Sequence, residues 1–200
     1  MRLNLGSGRT NLPNMINVDI EQEGHDPDVI LDIDNAGLST WVMALFPDYA
    51  NIPFNEMKDI ERVEYAQLIH VIEHLHNPLK MMENLWCISK PDAICYVRCP
   101  HGGSDDAWED PTHVRPYYPG SFYYFGQPTY WRADYGYRGD WKVVKMDLLA
   151  FGPAMLKNPN FAMMGRNSVR EMVVTLQAVK PARPNDRELM DVIHPIYKAG

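Results

Sequence analysis

The sequence predicts an α/β domain: a mostly parallel sheet with helices on both faces and an antiparallel strand pair at its C-terminal end. Three observations carry the prediction. Short apolar, β-rich runs recur through the first half of the chain, and the first four finish in Gly, Asp or His. A segment with helical spacing of apolar residues, 78–89, separates two of these runs. Two longer β-rich runs, 141–151 and 170–179, follow an irregular stretch and suit an antiparallel pair. Strands alternating with turns and a helix give a parallel sheet, and ligands bind such sheets beyond the carboxyl ends of the strands.

In chain order, residues 3–5 form a short strand closing on Gly6-Ser7-Gly8. Residues 16–20 are a second strand with Asp19 near its carboxyl end, and residues 29–33 a third containing Asp32. Residues 63–69 are a fourth strand, running into His70-Val71-Ile72-Glu73-His74-Leu75. Pro78 suits the first turn of the helix that follows, and Leu79, Met82, Leu85 and Trp86 make its apolar face. Lys90-Pro91-Asp92 reads as a turn and 93–99 as the fifth strand. Segment 101–140, rich in Gly, Pro, Asp and aromatics, reads as loop with one short helix near 121–125. Residues 1–180 are expected to be one domain, and the polar stretch 181–200 a tail that is mobile or docks on a partner.

Bulk properties narrow the partners. The formal net charge is −7 and no basic block occurs, so the long-range field favours neither nucleic acid nor an anionic membrane. Cys87, Cys95 and Cys99 are few, odd in number and without CxxC spacing, which argues against a disulfide framework or a structural zinc site and for a reducing compartment. No secretory pattern precedes the glycine turn, and no apolar run approaches the roughly 20 residues of a membrane span. A cytoplasmic protein with no resident metal is expected.

The strand ends carry the chemistry. Glycine turns tightly and lets a ligand approach the backbone without a Cβ in the way. A carboxylate at the end of the second strand can accept both hydrogens of a ribose diol, and an acid after the third can receive an exocyclic amine. Gly6, Ser7, Gly8, Asp19 and Asp32 therefore point to a nucleoside ligand.

The runs Leu3-Asn4-Leu5-Gly6-Ser7-Gly8, Ile16-Asn17-Val18-Asp19 and His70-Val71-Ile72-Glu73-His74-Leu75 with Asn77-Pro78 resemble the class I S-adenosylmethionine-dependent methyltransferases, closest to their short bacterial and phage-type members. Glu83-Asn84-Leu85-Trp86 through Lys90-Pro91-Asp92 resembles that family's fourth helix and the turn into its fifth strand. The resemblance spans about residues 3–125 and implies a Rossmann-like fold with S-adenosyl-L-methionine as cofactor. It implies that Gly6, Ser7 and Gly8 pass beneath the methionine moiety, that Asp19 and Ile20 border the ribose, and that Asp32 and Ile33 flank the adenine. His70 would lie beside the cofactor, with Glu73 and His74 at the helix start or facing the acceptor. Two departures stand out. Thr10 replaces the family's usual third glycine, and the ten residues between Gly8 and Asp19, interrupted by Pro13, leave room for a loop rather than a helix. A second copy of the chain or the tail is a candidate cover for the cofactor.

On the acceptor side, His101 follows the fifth strand, and Asp110-Pro111-Thr112-His113-Val114-Arg115 comes soon after. His113 or His101 is a candidate general base because histidine titrates near neutrality. Arg115 suits an acceptor carboxylate or phosphate, and Asp110 either orients His113 or pairs with Arg115. More than half of the aromatic residues lie in the segment from Trp108 to Trp141 inclusive, and Tyr117 and Tyr118 are candidate walls of an acceptor pocket for a small molecule or sugar.

Three other readings compete. A degenerate, non-catalytic domain would keep the fold for binding or assembly. A nicotinamide-binding domain would need the full GxGxxG arrangement, which is missing. Residues 70–74 spell HxxEH; on a helix His70 and His74 would share a face for zinc, with Glu73 as base of a hydrolase.

Overall fold

A computed structural model describes residues 1–20, 24–49, 53, 62–151 and 165–199. The strands are β1 (Arg2–Leu5), β2 (Ile16–Asp19), β3 (Val29–Ile30), β4 (Val63–Ile69), β5 (Ser89–Pro100), β6 (Trp141–Ala150), β7 (Val169–Ala178) and β8 (Ile196–Ala199). Among the described residues the α-helices are α1 (Leu38–Leu45), α2 (Pro78–Ile88) and the single turn α3 (Asp106–Glu109). All eight strands join one sheet in the order β3-β2-β1-β4-β5-β7-β6-β8. The first five run parallel, and β7 lies antiparallel between β5 and β6. From β1 the chain moves outward through β2 to β3, then returns to β4 on the other side. That reversal opens a crevice at the carboxyl ends of β1 and β4.

Side chains alternate faces along a strand, and β1 uses the alternation sharply. Leu3 and Leu5 are fully buried in the apolar core, whereas Asn4 between them is buried among polar groups. Asn4 pairs in register with Asn17 on β2 and Gln67 on β4, and the three side chains hydrogen-bond in a row at 3.0 Å each. Asn4 and Asn17 also serve the loop that joins β1 to β2. Asn4 Nδ2 donates to the Thr10 carbonyl, Asn17 Oδ1 accepts from the Leu12 N–H, and Asn17 Nδ2 donates to Asp28. A loop without helical hydrogen bonds needs outside partners for its polar backbone, and this ladder supplies them. The expected replacement of a helix by a loop before Asp19 is thus realised.

The helices pack on the sheet by apolar stripes. In α1, Leu38, Trp41, Val42 and Leu45 are buried at i, i+3, i+4 and i+7 spacing, a helix that the sequence reading leaves unassigned. In α2 the deepest residues are Met81, Met82, Leu85 and Ile88; Leu79 and Trp86, expected on the apolar face, are only partly buried. Trp86 Nε1 donates to the Val179 carbonyl, and Trp141 Nε1 to that of Met82, so α2 is fastened to the antiparallel end of the sheet.

Several expected boundaries shift. β3 keeps only two ladder residues, because 31–33 leave the sheet to follow the crevice. The expected turn at 90–92 is a bulge within β5: Val63 pairs with Ser89 and Tyr65 with Ile94, so 90–93 stand opposite Glu64 alone, with Asp92 at φ +62°. Segment 101–140 holds α3 and two 3-10 turns, Pro119–Phe125 and Gln127–Trp131, rather than one short helix. In the polar stretch 181–200, the Arg183 guanidinium makes a two-pronged contact with the fully buried Asp140, at 2.9 and 2.8 Å, and also reaches Asp191. Further on, β8 pairs with β6, and Lys198 Nζ lies 2.8 Å from Asp147. These pairings join residues far apart in sequence, so spacing alone gives no sign of them.

Candidate functional site

The glycine turn after β1 is held from both sides. Gly6 has φ +67°, and a Cβ there would stand 2.5 Å from Val71 Cγ2. Its N–H and that of Ser7 both donate to the Val18 carbonyl at the end of β2. Gly8, at φ +53°, has open space where a Cβ would project. The Gly8 N–H donates to Asp19 Oδ2, and the Ile20 N–H to Asp19 Oδ1 at 2.7 Å. Each carboxylate oxygen has two lone pairs, so both keep one for a ligand hydroxyl.

A cavity of about 680 Å³ opens at this edge. Gly6 and Gly8 contribute from β1, Asp19 and Ile20 from β2, and residues 31–35 from the chain leaving β3. His70, Val71 and residues 74–76 close it from beyond β4, with His25 and Thr112 at its margin. Gly6, Gly8, Asp19, Ile20, Asp32, Ile33 and His70 are thus brought together as the sequence suggests. Ser7 is buried beneath the turn and does not line the cavity; its hydroxyl has no hydrogen-bond partner among the described residues. Asp32 accepts from the N–H groups of Asp34 and Asn35 and from Asn35 Nδ2. Partial burial would raise its pKa, but the hydrogen bonds from Asn35 and Asp34 outweigh it and hold the carboxyl below its usual range. Asp34, unremarked in the sequence, accepts from the N–H groups of His76 and Asn77 and so ties the β3 exit to the start of α2.

His70 leaves β4 at φ +54°. Its Nδ1 lies 3.4 Å from Glu73 Oε1 and its Nε2 3.5 Å from Glu171 Oε1, while Arg98 Nε holds Glu171 at 2.7 Å. Glu73 raises the His70 pKa against the opposing effect of burial, and Glu171 adds to the rise. Only Ile72–His74 is helical, as one 3-10 turn, so His70 and His74 do not share an α-helical face. The HxxEH hydrolase geometry therefore does not form.

Glu73 is 2% exposed, and neither of its oxygens has a hydrogen-bond partner among the described residues. The His74 and His113 rings meet edge to face at 4.7 Å. His74 lines the cavity and His113 packs behind it, with His113 Nδ1 3.3 Å from the Ala107 carbonyl. Of the two partners expected for Asp110, the structure provides His113, whose Nε2 is 3.8 Å away. Arg115 instead donates to the His76 carbonyl at 3.2 Å. His101 lines neither this cavity nor the next. Its Nδ1 accepts from the Gly103 N–H, and burial lowers its pKa, so it is held neutral.

A second cavity, about 590 Å³, lies across the Arg115–His76 contact, since His76 lines the first and Arg115 the second. Its walls include Tyr117, Tyr118, Tyr124, Phe125 and Tyr135, with Leu79 of α2. Tyr117 is buried and its hydroxyl has no hydrogen-bond partner among the described residues; burial pushes its pKa up. The Tyr118 hydroxyl donates to the Gly102 carbonyl.

Solved structures share this architecture. A SAM-dependent methyltransferase from Archaeoglobus fulgidus matches with a TM-score of 0.57 at 15% identity, over 88% of this chain and 85% of that one. An S-adenosylmethionine-dependent methyltransferase from Mesorhizobium loti matches with a TM-score of 0.51 at 9% identity, over 88% and 89% of the two chains. This is the class I methyltransferase fold. No family model matches the chain, and no curated protein matches it. Within the methyltransferase fold, the sequence reading missed His25, Leu31, Asp34, Asn35, Leu75, His76 and Thr112 as cavity residues. Asp34 and Asn35 had a weak signal in lying two and three residues after Asp32. Thr112 had none, because only folding brings it to His74.

Proposed function

We propose that the first cavity binds S-adenosyl-L-methionine and that the domain transfers its methyl group to a small-molecule acceptor entering through the second. One observation carries this reading: Gly6, Gly8, Asp19 and Asp32 converge from three strand ends on a single cavity at the topological switch point. Its volume lies in the range of small-molecule sites, roughly 300–1,000 Å³. The residues suit a nucleoside. Asp19 has lone pairs for a ribose diol, Leu31 and Ile33 give an apolar wall for a purine, and the open side of Gly8 admits close backbone contact.

When bound, the sulfonium supplies an already activated methyl group, so the protein's task is alignment and exclusion of water. His74, with Glu73 and His113 behind it, serves the reacting end, in preference to His101. Arg115 receives an anionic group of the acceptor, and Tyr117 and Tyr118 wall its body. A non-catalytic binding domain is the second reading. It is favoured by the helix-free link between β1 and β2, which offers no helix N-terminus to the methionine carboxylate.

Calorimetry with S-adenosylmethionine separates the two, followed by mass spectrometry of a cell extract incubated with the protein and methyl-labelled cofactor. The enzyme reading expects heat of binding, lost in Asp19→Ala, and a labelled small molecule. Binding without any labelled product in extract favours the second reading, and absence of binding removes the cofactor assignment.

A further inference from the structure

We infer that Glu73, His74 and His113 form a binding site for a divalent transition-metal cation of the zinc type beside the first cavity. One candidate donor atom from each of the three lies within 4.8 Å of the others. The surrounding hydrogen bonds indicate which ring nitrogens are free to bind. Thr112 Oγ1 donates its only hydrogen to Asp110 Oδ1 at 2.6 Å. It therefore meets His74 Nδ1, 3.0 Å away, as an acceptor, which places the His74 proton on Nδ1 and leaves the lone pair on Nε2. His113 Nδ1 faces the Ala107 carbonyl, an acceptor only, which leaves its lone pair on Nε2 as well. Ring nitrogens fixed in this way by a second hydrogen bond are characteristic of metal-binding histidines.

The third donor is the Glu73 carboxylate, buried and without a hydrogen bond. Two imidazoles and a carboxylate thus lie close together, and Asp110 Oδ2, 3.8 Å from His113 Nε2, adds negative charge. Burying a carboxylate without a hydrogen bond is costly, and a bound cation offsets that cost. His70 is an ion-pair neighbour of Glu73, with Nδ1 3.4 Å from Oε1 but outside hydrogen-bonding geometry, and its Nε2 faces Glu171. Two imidazoles and one carboxylate suit zinc and its neighbours, and three protein ligands leave a coordination position open. His74 and Thr112 also line the first cavity, so the ion stands at its edge. Resting on the reading of that cavity given above, an oxygen of the acceptor would take the open position.

The test is a titration of the tag-free, chelator-stripped full chain with Co2+, read by visible absorption and by competition with Zn2+, without S-adenosylmethionine. One equivalent is expected to give a ligand-field band that Zn2+ abolishes. His74→Gln and His113→Gln should lose the band, with thermal melting confirming that each variant folds. Thr112→Val removes the hydroxyl that, with the Thr112 carbonyl, orients His74, and should weaken binding by up to roughly 10–100-fold. No band at one equivalent, or a band that survives both histidine substitutions, overturns the site. Because no cofactor is present, this outcome is independent of the calorimetry on the first cavity.

Discussion

The backbone N–H of Gly8 donates to the side-chain carboxylate of Asp19, making the turn after β1 and the end of β2 a single unit. Asp19 thereby both shapes the glycine turn and faces the cavity that the turn borders. Replacing it with alanine removes an anionic acceptor from two backbone donors and from any bound diol. Hydrogen bonds to charged groups contribute about 1.5–3 kcal/mol, so Asp19→Ala should weaken S-adenosylmethionine roughly 10–100-fold. Calorimetry checks this, and an unchanged dissociation constant would show that the ligand lies elsewhere.

The two glycines of the turn should respond differently to alanine. Gly6→Ala combines a left-handed backbone with a Cβ driven into Val71, and should cost about 2–5 kcal/mol of stability. Gly8→Ala has the backbone strain alone, about 1–2 kcal/mol, but its methyl group enters the open space beside the cavity. Thermal melting should rank Gly6→Ala as the less stable variant. Cofactor titration should find Gly8→Ala impaired well beyond its small stability loss.

Asn17→Leu tests the polar ladder. It leaves the Leu12 N–H without its acceptor and removes one of the two acceptors of Asn4 Nδ2, at a cost of about 1–3 kcal/mol. Hydrogen exchange should accelerate across 9–15, with little change in α2. Slow exchange preserved in that loop would show that the ladder does not hold it.

Asp147 makes the attachment of β8 acid-sensitive. Burial would raise its pKa, but Lys198 and Lys145 outweigh that effect and hold the carboxyl below its ordinary value. Its stabilising contribution is therefore complete above the ordinary carboxylate range and disappears as pH falls through the lowered native value. Protection of the 196–199 amides should drop on acidification below about pH 4. Asp147→Asn should show the reduced protection already at neutral pH, and an Asp147→Asn chain with undiminished protection there would count against the assignment.

Much of the parallel half was legible because its signals are local. A strand of alternating burial, a glycine turn and an acid at the next strand end are all short-range patterns, and Gly6, Gly8, Asp19 and Asp32 were readable from them, whereas Ile33 came only from the family resemblance. α1 carried its i, i+3, i+4, i+7 stripe, though in only eight residues. The reading of 90–92 as a turn caught a real departure from the ladder but not that β5 resumes the same pairing beyond it.

What the sequence determined by itself is the class of fold and the edge of the sheet where a ligand belongs, because strand periodicity and glycine conformational freedom act within a few residues. The tertiary structure alone decided which distant side chains meet: Asn4 with Gln67, Arg183 with Asp140, and His74 with His113. Those contacts depend on strand order and on the path of irregular loops, and many unrelated spacings in a sequence are compatible with each.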